Sequence, residues 1–387
     1  MASPFTRAVV ESMRTLYPEC LADKSFDNTG LLLEAPLLPT RRNKNSVLLT
    51  IDLTRAVADE AIEQGHSVVV AYHPIIFRGL KSITLQDSQQ QSLLKLAAHG
   101  VSVYSPHTAV DIVPGGMGDW LCDVVAGESS TGNGGDDRPA DRNKGRMIPI
   151  HSPLTAPTHP ELGTYSGPLY AAVATHTPGD LPRFAHTRSV ITASATSDIE
   201  AANSVTKSTA FSTSNTGAGR LISFSSPQQL SVLINRIGNA IGQPRSLAVA
   251  IHQGTSGENV QIKTVGVCPG SGASVMRACR PPPDLVVTGE MSHHDALAVT
   301  ERGGSVVTLF HSNSERGYLS SMMKPKLEDK LRQVWAADRE KWAHERGKGE
   351  ECVAEILRDE SVLVKVSERD RDPFGVALLF GSNTVDV

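Results

Sequence analysis

Short apolar runs alternate along this chain with longer segments whose apolar residues recur at helical spacing, and that order predicts an α/β fold. The first part reads as a helix over Thr6–Tyr17, a strand at Val47–Asp52 and a helix over Thr54–Gln64 with Thr54 as its N-cap. A strand at Val68–Tyr72, a helix over Ser88–His99, a strand at Val101–Tyr104 and a helix over Gly116–Val125 follow. Strands separated by helices imply crossover connections and a mainly parallel sheet. The pattern lapses after Ala126: GESSTGNGGDDRPADRNKG reads as a loop or disordered tract, and the Ser-, Thr-, Pro- and Ala-rich stretch over 147–216 as an inserted module with a few strands. Alternation returns with GAGRLISF, a helix over Pro227–Ile241, strands at Leu247–His252 and Lys263–Val267 and a helix after Gly272. DLVVTGE, a helix over His293–Arg302, SVVTLF, a helix from Asn313 and a last strand at Ser361–Val366 complete the chain. The expected organisation is two similar α/β halves, 1–127 and 216–387, with a flexible Ser/Thr/Pro-rich module at 128–215. The charged stretch Lys324–Glu351 predicts a solvated amphipathic helix.

Composition narrows the function classes. Over 387 residues, 40% hydrophobic and 20% charged side chains are the values of a soluble globular protein. A net charge of -4 leaves no general basic face for phosphates, so direct nucleic-acid binding is not expected. No apolar stretch approaches the roughly 20 residues needed to cross a bilayer. The first thirty residues lack a signal-peptide core, and Glu11, Glu19 and Asp23 disfavour a mitochondrial presequence. A cytoplasmic address, or one shared with the nucleus, is the expectation. The five cysteines show no CxxC pair and read as buried thiols of a reducing compartment.

Candidate chemistry lies at the ends of three strand-like runs: His73 after SVVVAY, His107 and Asp111 after VSVYSP, and His311 with Glu315 after SVVTLF. The carboxyl ends of parallel strands converge on one crevice, so residues far apart in sequence can share a site there. His311 and Glu315, four apart, fall on one face of a helix. An isolated HxxxE is more often a surface hydrogen-bonded pair than a ligand set; the joint pattern is what suggests a metal. Mixed nitrogen and oxygen donors suit Zn, Fe, Mn, Co or Ni better than Ca, and two ions about 3.5 to 4 Å apart would activate water and neutralise an anionic substrate. In VCPGSGAS, the turn at Ser271 and Gly272 offers backbone amides for a phosphate or carboxylate, or is only the glycine turn that joins strand to helix. His293 and His294 in TGEMSHHDAL are candidates for proton transfer, or a pair bonded at a helix start.

DNTGLLLE, AYHPIIFRGLKSIT, VYSPHTAVDIVPGGMGDWL, TVGVCPGSGAS, LVVTGEMSHHDAL and HSNSERGYL, in that order, resemble the successive motifs of the Ngg-one-interacting-factor-three family. Its bacterial members are catalogued as GTP cyclohydrolase I type 2 homologues, and SERDRDP near the end resembles the eukaryotic branch. The resemblance implies two α/β halves around a central cleft with a dinuclear metal centre, and assemblies from dimers to hexamers. It places His73, Asp111, His311 and Glu315 on metal-ligand positions, with Glu315 bridging. Where the bacterial pattern has two adjacent histidines before the proline, this chain has Tyr72 and then His73. That departure implies one strong site, His73 with His311 and Glu315, and a weaker one at Asp111 and Glu315, with His107 as a nearby substitute. Two functions follow as expectations. One is a metal-dependent hydrolase of a nucleotide or phosphorylated small molecule, with His294 or His107 moving protons. The other is a non-catalytic adaptor for transcription regulators, with a structural metal.

Overall fold

The computed structural model describes residues 3–37, 43–127, 183–242, 244, 246–252, 255, 260–344 and 351–375; most of the expected insert, 128–182, lies outside them. The described strands, in chain order, are β1 (Gly30–Leu33), β2 (Lys44–Thr50), β3 (His66–Ala71), β4 (Ser102–Ser105), β5 (His186–Ala193), β6 (Gly217–Gln229), β7 (Ala248–Ala250), β8 (Gln261–Ser271), β9 (Leu285–Glu290), β10 (Ser305–Thr308) and β11 (Leu363–Val366). They form two sheets, one ordered β1-β4-β3-β2-β11 and the other β5-β6-β8-β9-β10-β7. In the first, β4, β3, β2 and β11 run parallel and β1 is antiparallel at the edge. In the second, β8, β9 and β10 are parallel, β6 on one side and β7 on the other pair antiparallel to them, and β5 pairs antiparallel with β6.

The Val- and Leu-rich runs take these central places because parallel strands are covered on both faces, where β-branched side chains pack well. Period-2 alternation then sorts them. Val47, Leu49 and Ile51, with Val68, Val70 and Tyr72, point into the largest core cluster, whereas Leu48, Val69 and Ala71 point outward under the helices Arg55–Gln64 and Ser88–Ala98. In the second sheet Val265, Val267, Leu285, Val287 and Val307 join that same cluster, and Val286 and Val306 face an outer one. The two inner faces therefore share one core, filled between them by the helices Pro4–Leu16, Met117–Ala126 and Lys324–His344. The α/β expectation with two similar halves is met.

Several local expectations are met as well. Thr54 caps the helix Arg55–Gln64, accepting from Val57 N. The helix Lys324–His344 is amphipathic, but its apolar face is no surface feature: Leu327, Leu331 and Trp335 are buried, and Trp335 meets Phe5 edge to face at 5.4 Å. Two connections depart from a linear division. β11, assigned by position to 216–387, pairs with β2 of the first sheet, and β5, from the expected insert, forms an edge of the second. No described helix is long and apolar enough to cross a membrane. Of the five cysteines expected to be buried thiols, Cys122, Cys268 and Cys279 are, whereas Cys20 and Cys352 are only partly buried.

Candidate metal centre

The carboxyl ends of β3 and β10 bring His73, His311 and Glu315 together, with one donor atom from each lying within 4.8 Å of the others. His73 Nε2 stands 3.6 Å from Glu315 Oε2, and His311 Nε2 stands 3.5 Å from Glu315 Oε1. The carboxylate is thus flanked by one imidazole from each half. Glu315 is 1% exposed, while the side chains of His73 and His311 are 24% and 39% exposed, so the group opens toward solvent on its imidazole side.

Each imidazole is oriented from behind. His73 Nδ1 is 2.9 Å from Asp52 Oδ1, and His311 Nδ1 is 3.1 Å from Glu290 Oε1. A carboxylate on Nδ1 fixes the ring and turns Nε2 toward a ligand position. Burial would lower the pKa of His73, but the hydrogen bond it donates to Asp52 and the charge of Glu315 outweigh it and push it up to about 10. Asp52 in turn is held below the usual carboxylate range: burial opposes ionisation, and the bond and charge of His73 overcome it.

Glu315 is set by its turn. Gly270 has φ +60°, and a Cβ there would come within 2.7 Å of Glu315 Oε1 and 3.1 Å of His311 Nε2. Only glycine leaves that space open and takes the left-handed conformation without strain. Gly270 N donates to Ser314 Oγ at 2.8 Å, and Ser314 Oγ donates to His311 O at 2.7 Å. Among the described residues, three non-glycines adopt left-handed backbone, and two of them, His107 at φ 33° and Phe310 at φ 64°, border this site.

These residues fit a divalent cation. Glu315 Oε2 is buried with no hydrogen-bond partner among the described residues, a costly state for a carboxylate oxygen that a cation would relieve. Two nitrogens and a carboxylate are the donor set of Zn, Fe or Mn.

The other candidates fall at different distances from this group. The Tyr72 hydroxyl lies 2.9 Å from both oxygens of Asp111, so that carboxylate is already engaged. Burial and the charge of Glu315 hold the Asp111 carboxyl well above the usual range; burial, with the charges of Asp111 and Glu315, does the same to the Tyr72 phenol. His107 stacks edge-on against His73, centroids 5.6 Å apart, but its Nδ1 turns away to Asp27 Oδ1 at 2.6 Å. Asp27 also accepts from Thr108 N and Oγ1. His293 and His294 are exposed at the start of the helix His293–Thr300, ring against ring, outside the three-donor group. Ser271 ends β8 exposed, and the Gly272 amide donates to Thr288 Oγ1 at 3.0 Å, so it is already used within the protein.

Three orienting carboxylates were not singled out from the sequence. Asp52 follows β2 and Glu290 ends β9, so the strand-end argument that picked His73 and His311 applies to them equally. Asp27 sat in the quoted DNTG motif without a role.

A two-sheet α/β protein with a His, His and Glu group where strands of both sheets end is the class that fold and site define. The chain belongs to the Duf34/NIF3 (NGG1p interacting factor 3) family, whose pattern matches residues 6–342. It is 38% identical over 322 residues to the Protein NIF3 homolog of Schizosaccharomyces pombe, covering 83% of this chain and 87% of that one. It is 31% identical over 343 residues to NGG1-interacting factor 3 of Saccharomyces cerevisiae, covering 86% and 96%. The crystal structure of a Bacillus cereus protein related to NIF3 superposes with a TM-score of 0.58 at 18% identity, over 96% of this chain and 98% of that one, a likeness of fold.

Proposed function

We propose that this chain holds one divalent ion, zinc, iron or manganese, at His73, His311 and Glu315 and uses it to hydrolyse a nucleotide or phosphorylated small molecule, in the manner of a GTP cyclohydrolase. The observation that carries this reading is a buried Glu315 oxygen with no hydrogen-bond partner among the described residues, set between two partly exposed imidazoles from opposite halves. When bound, such an ion supplies Lewis acidity and activates water. The chain's own residues prepare its place. Asp52 and Glu290 aim the two imidazoles, and Gly270 keeps the donor space free. Of the two proton-transfer candidates His107 is better placed than His294, because its ring borders His73 and Asp27 fixes its orientation.

Two half-exposed rings, Phe26 and Phe77, stand 6.2 Å apart and each 6.2 Å from His107. They offer a surface on which a purine can stack, which supports a nucleotide substrate. The tie of Asp111 to Tyr72 supports one ion per chain over two. Exposed Leu80, Ile83 and Leu85 supply apolar surface for self-association, between dimer and hexamer. The test is a screen of metal-loaded protein against nucleotides and phosphoesters beside Glu315→Ala. Turnover by the wild type alone supports hydrolysis; equal turnover by both would overturn it.

A second reading rests on the name of the Saccharomyces relative, NGG1-interacting factor 3. On that reading the chain is a protein-binding adaptor whose metal serves structure. A substrate screen that stays silent while transcription-regulator partners bind wild type and Glu315→Ala alike would favour it.

A further inference from the structure

After β11 the chain does not leave the molecule but runs along the ends of the first sheet toward the donor group. Ser367 N donates to Leu49 O at 2.8 Å. A buried carboxylate, Glu60 on the helix Arg55–Gln64, then accepts from Ser367 Oγ at 2.5 Å, Glu368 N at 3.0 Å and Arg369 N at 3.4 Å. Thus anchored, the segment presents two acids to the site.

Asp370, its side chain 2% exposed, accepts from Ile51 N at 2.7 Å and pairs with Arg316 Nη1 at 2.5 Å through the same oxygen. Ile51 O accepts from His73 N at 3.0 Å, and Arg316 directly follows Glu315. Asp372 accepts from Ser312 N at 3.2 Å and Ser312 Oγ at 2.7 Å, and Ser312 directly follows His311. Arg316 Nη2 donates to the same Ser312 hydroxyl at 2.9 Å. Every member of the donor group is therefore one residue, or one backbone hydrogen bond, from a residue that a strap carboxylate holds. His73 belongs to one half and His311 and Glu315 to the other, so the strap spans the gap that any shared ion must bridge.

Stability alone is a poor account of this arrangement. Asp370 Oδ1 and Arg316 Nε are both buried without a hydrogen-bond partner among the described residues, and a buried ion pair left partly unsatisfied seldom repays its desolvation. We propose that Ser367–Asp372 is a positioning strap, with Asp370 and Asp372 as the residues that set the distance between His73 and the His311–Glu315 pair. This rests on the metal reading above and assigns the segment a part in it.

The test is zinc affinity of the full chain, measured by competition with a chromophoric chelator, for wild type, Asp370→Asn, Asp372→Asn and a core control, Leu331→Ala. Urea unfolding of each is recorded in parallel. The strap predicts that both Asn variants bind zinc about 10- to 100-fold more weakly, the scale of lost outer-sphere orientation, while Leu331→Ala loses stability and keeps wild-type affinity. Asp372 is only partly buried, so Asp372→Asn carries the test if Asp370→Asn does not fold. Wild-type zinc affinity in the Asn variants overturns the strap and leaves the metal reading standing. Failure of the wild type to bind zinc overturns both.

Discussion

On the first-sheet side, the imidazoles of the site are gripped by carboxylates: His73 by Asp52 at 2.9 Å, and His107 by Asp27 at 2.6 Å, the Asp27 side chain being only 1% exposed. On the second-sheet side, His311 leans on Glu290, which is 55% exposed, at 3.1 Å, and the firm element is Glu315, seated by backbone and by the space over Gly270. One half fixes its donors by side-chain pairs, the other by the shape of a turn. The first arrangement depends on charge and the second on sterics, so substitutions separate them.

The largest expected effect is on the steric side. Gly270→Ala forces a Cβ against Glu315 at a left-handed position, and it should cost about 2–4 kcal/mol in urea unfolding, from backbone strain and overpacking together. Retention of the wild-type urea midpoint would mean that the turn is looser than described. Next comes Asp52→Asn, which frees the His73 ring; zinc affinity should fall about 10- to 100-fold. An unchanged affinity would show that the carboxylate does not aim the donor.

A third histidine of the first sheet separates packing from site. His66 on β3 lies against Ser46 Oγ and Gln64 Oε1, and no carboxylate among the described residues bonds its ring. Burial, with Lys365 adding, pushes its pKa down to about 4. Between the unfolded value near 6.5 and that value the unfolded chain binds a proton the folded chain does not. The stabilisation is therefore complete above about pH 6.5 and is lost as pH falls through about 4. Wild type should lose roughly 1–2 kcal/mol more between pH 7 and pH 5 than His66→Gln does, read from urea midpoints. Equal pH dependence would remove His66 from the account. The smallest effect belongs to Glu290→Gln: an exposed pair is worth little, so zinc affinity should fall about 5-fold or less. A drop as deep as that of Asp52→Asn would erase the distinction between the halves.

What the chain's pattern revealed, and what it did not, follows the same division. His73, His311 and Glu315 were legible because the strands before them are short apolar runs, and strand ends are where donors from distant segments meet. Asp52 and Glu290 obey that rule but carry no spacing signature linking them to a particular imidazole; only the register of β2 with β3, and of β9 with β10, sets them behind His73 and His311. The return of β11 to β2 was illegible for a related reason. A four-residue strand specifies its faces by alternation but not its neighbour, so position in the chain suggested the second half. The engagement of Asp111 by Tyr72 is a fact of side-chain reach from the end of β3 to the short helix Thr108–Ile112 after β4, and no local pattern encodes it.

On the proposed metal reading, one ion is shared between the halves. Its most direct test is equilibrium dialysis against zinc with metal analysis of the retained protein, for wild type, His73→Ala and Glu315→Ala. The expected result is one ion per chain in the wild type, lost whether the donor is removed from the first half or from the second. Tight binding that persists in both variants, or in His311→Ala combined with Glu315→Ala, would contradict it.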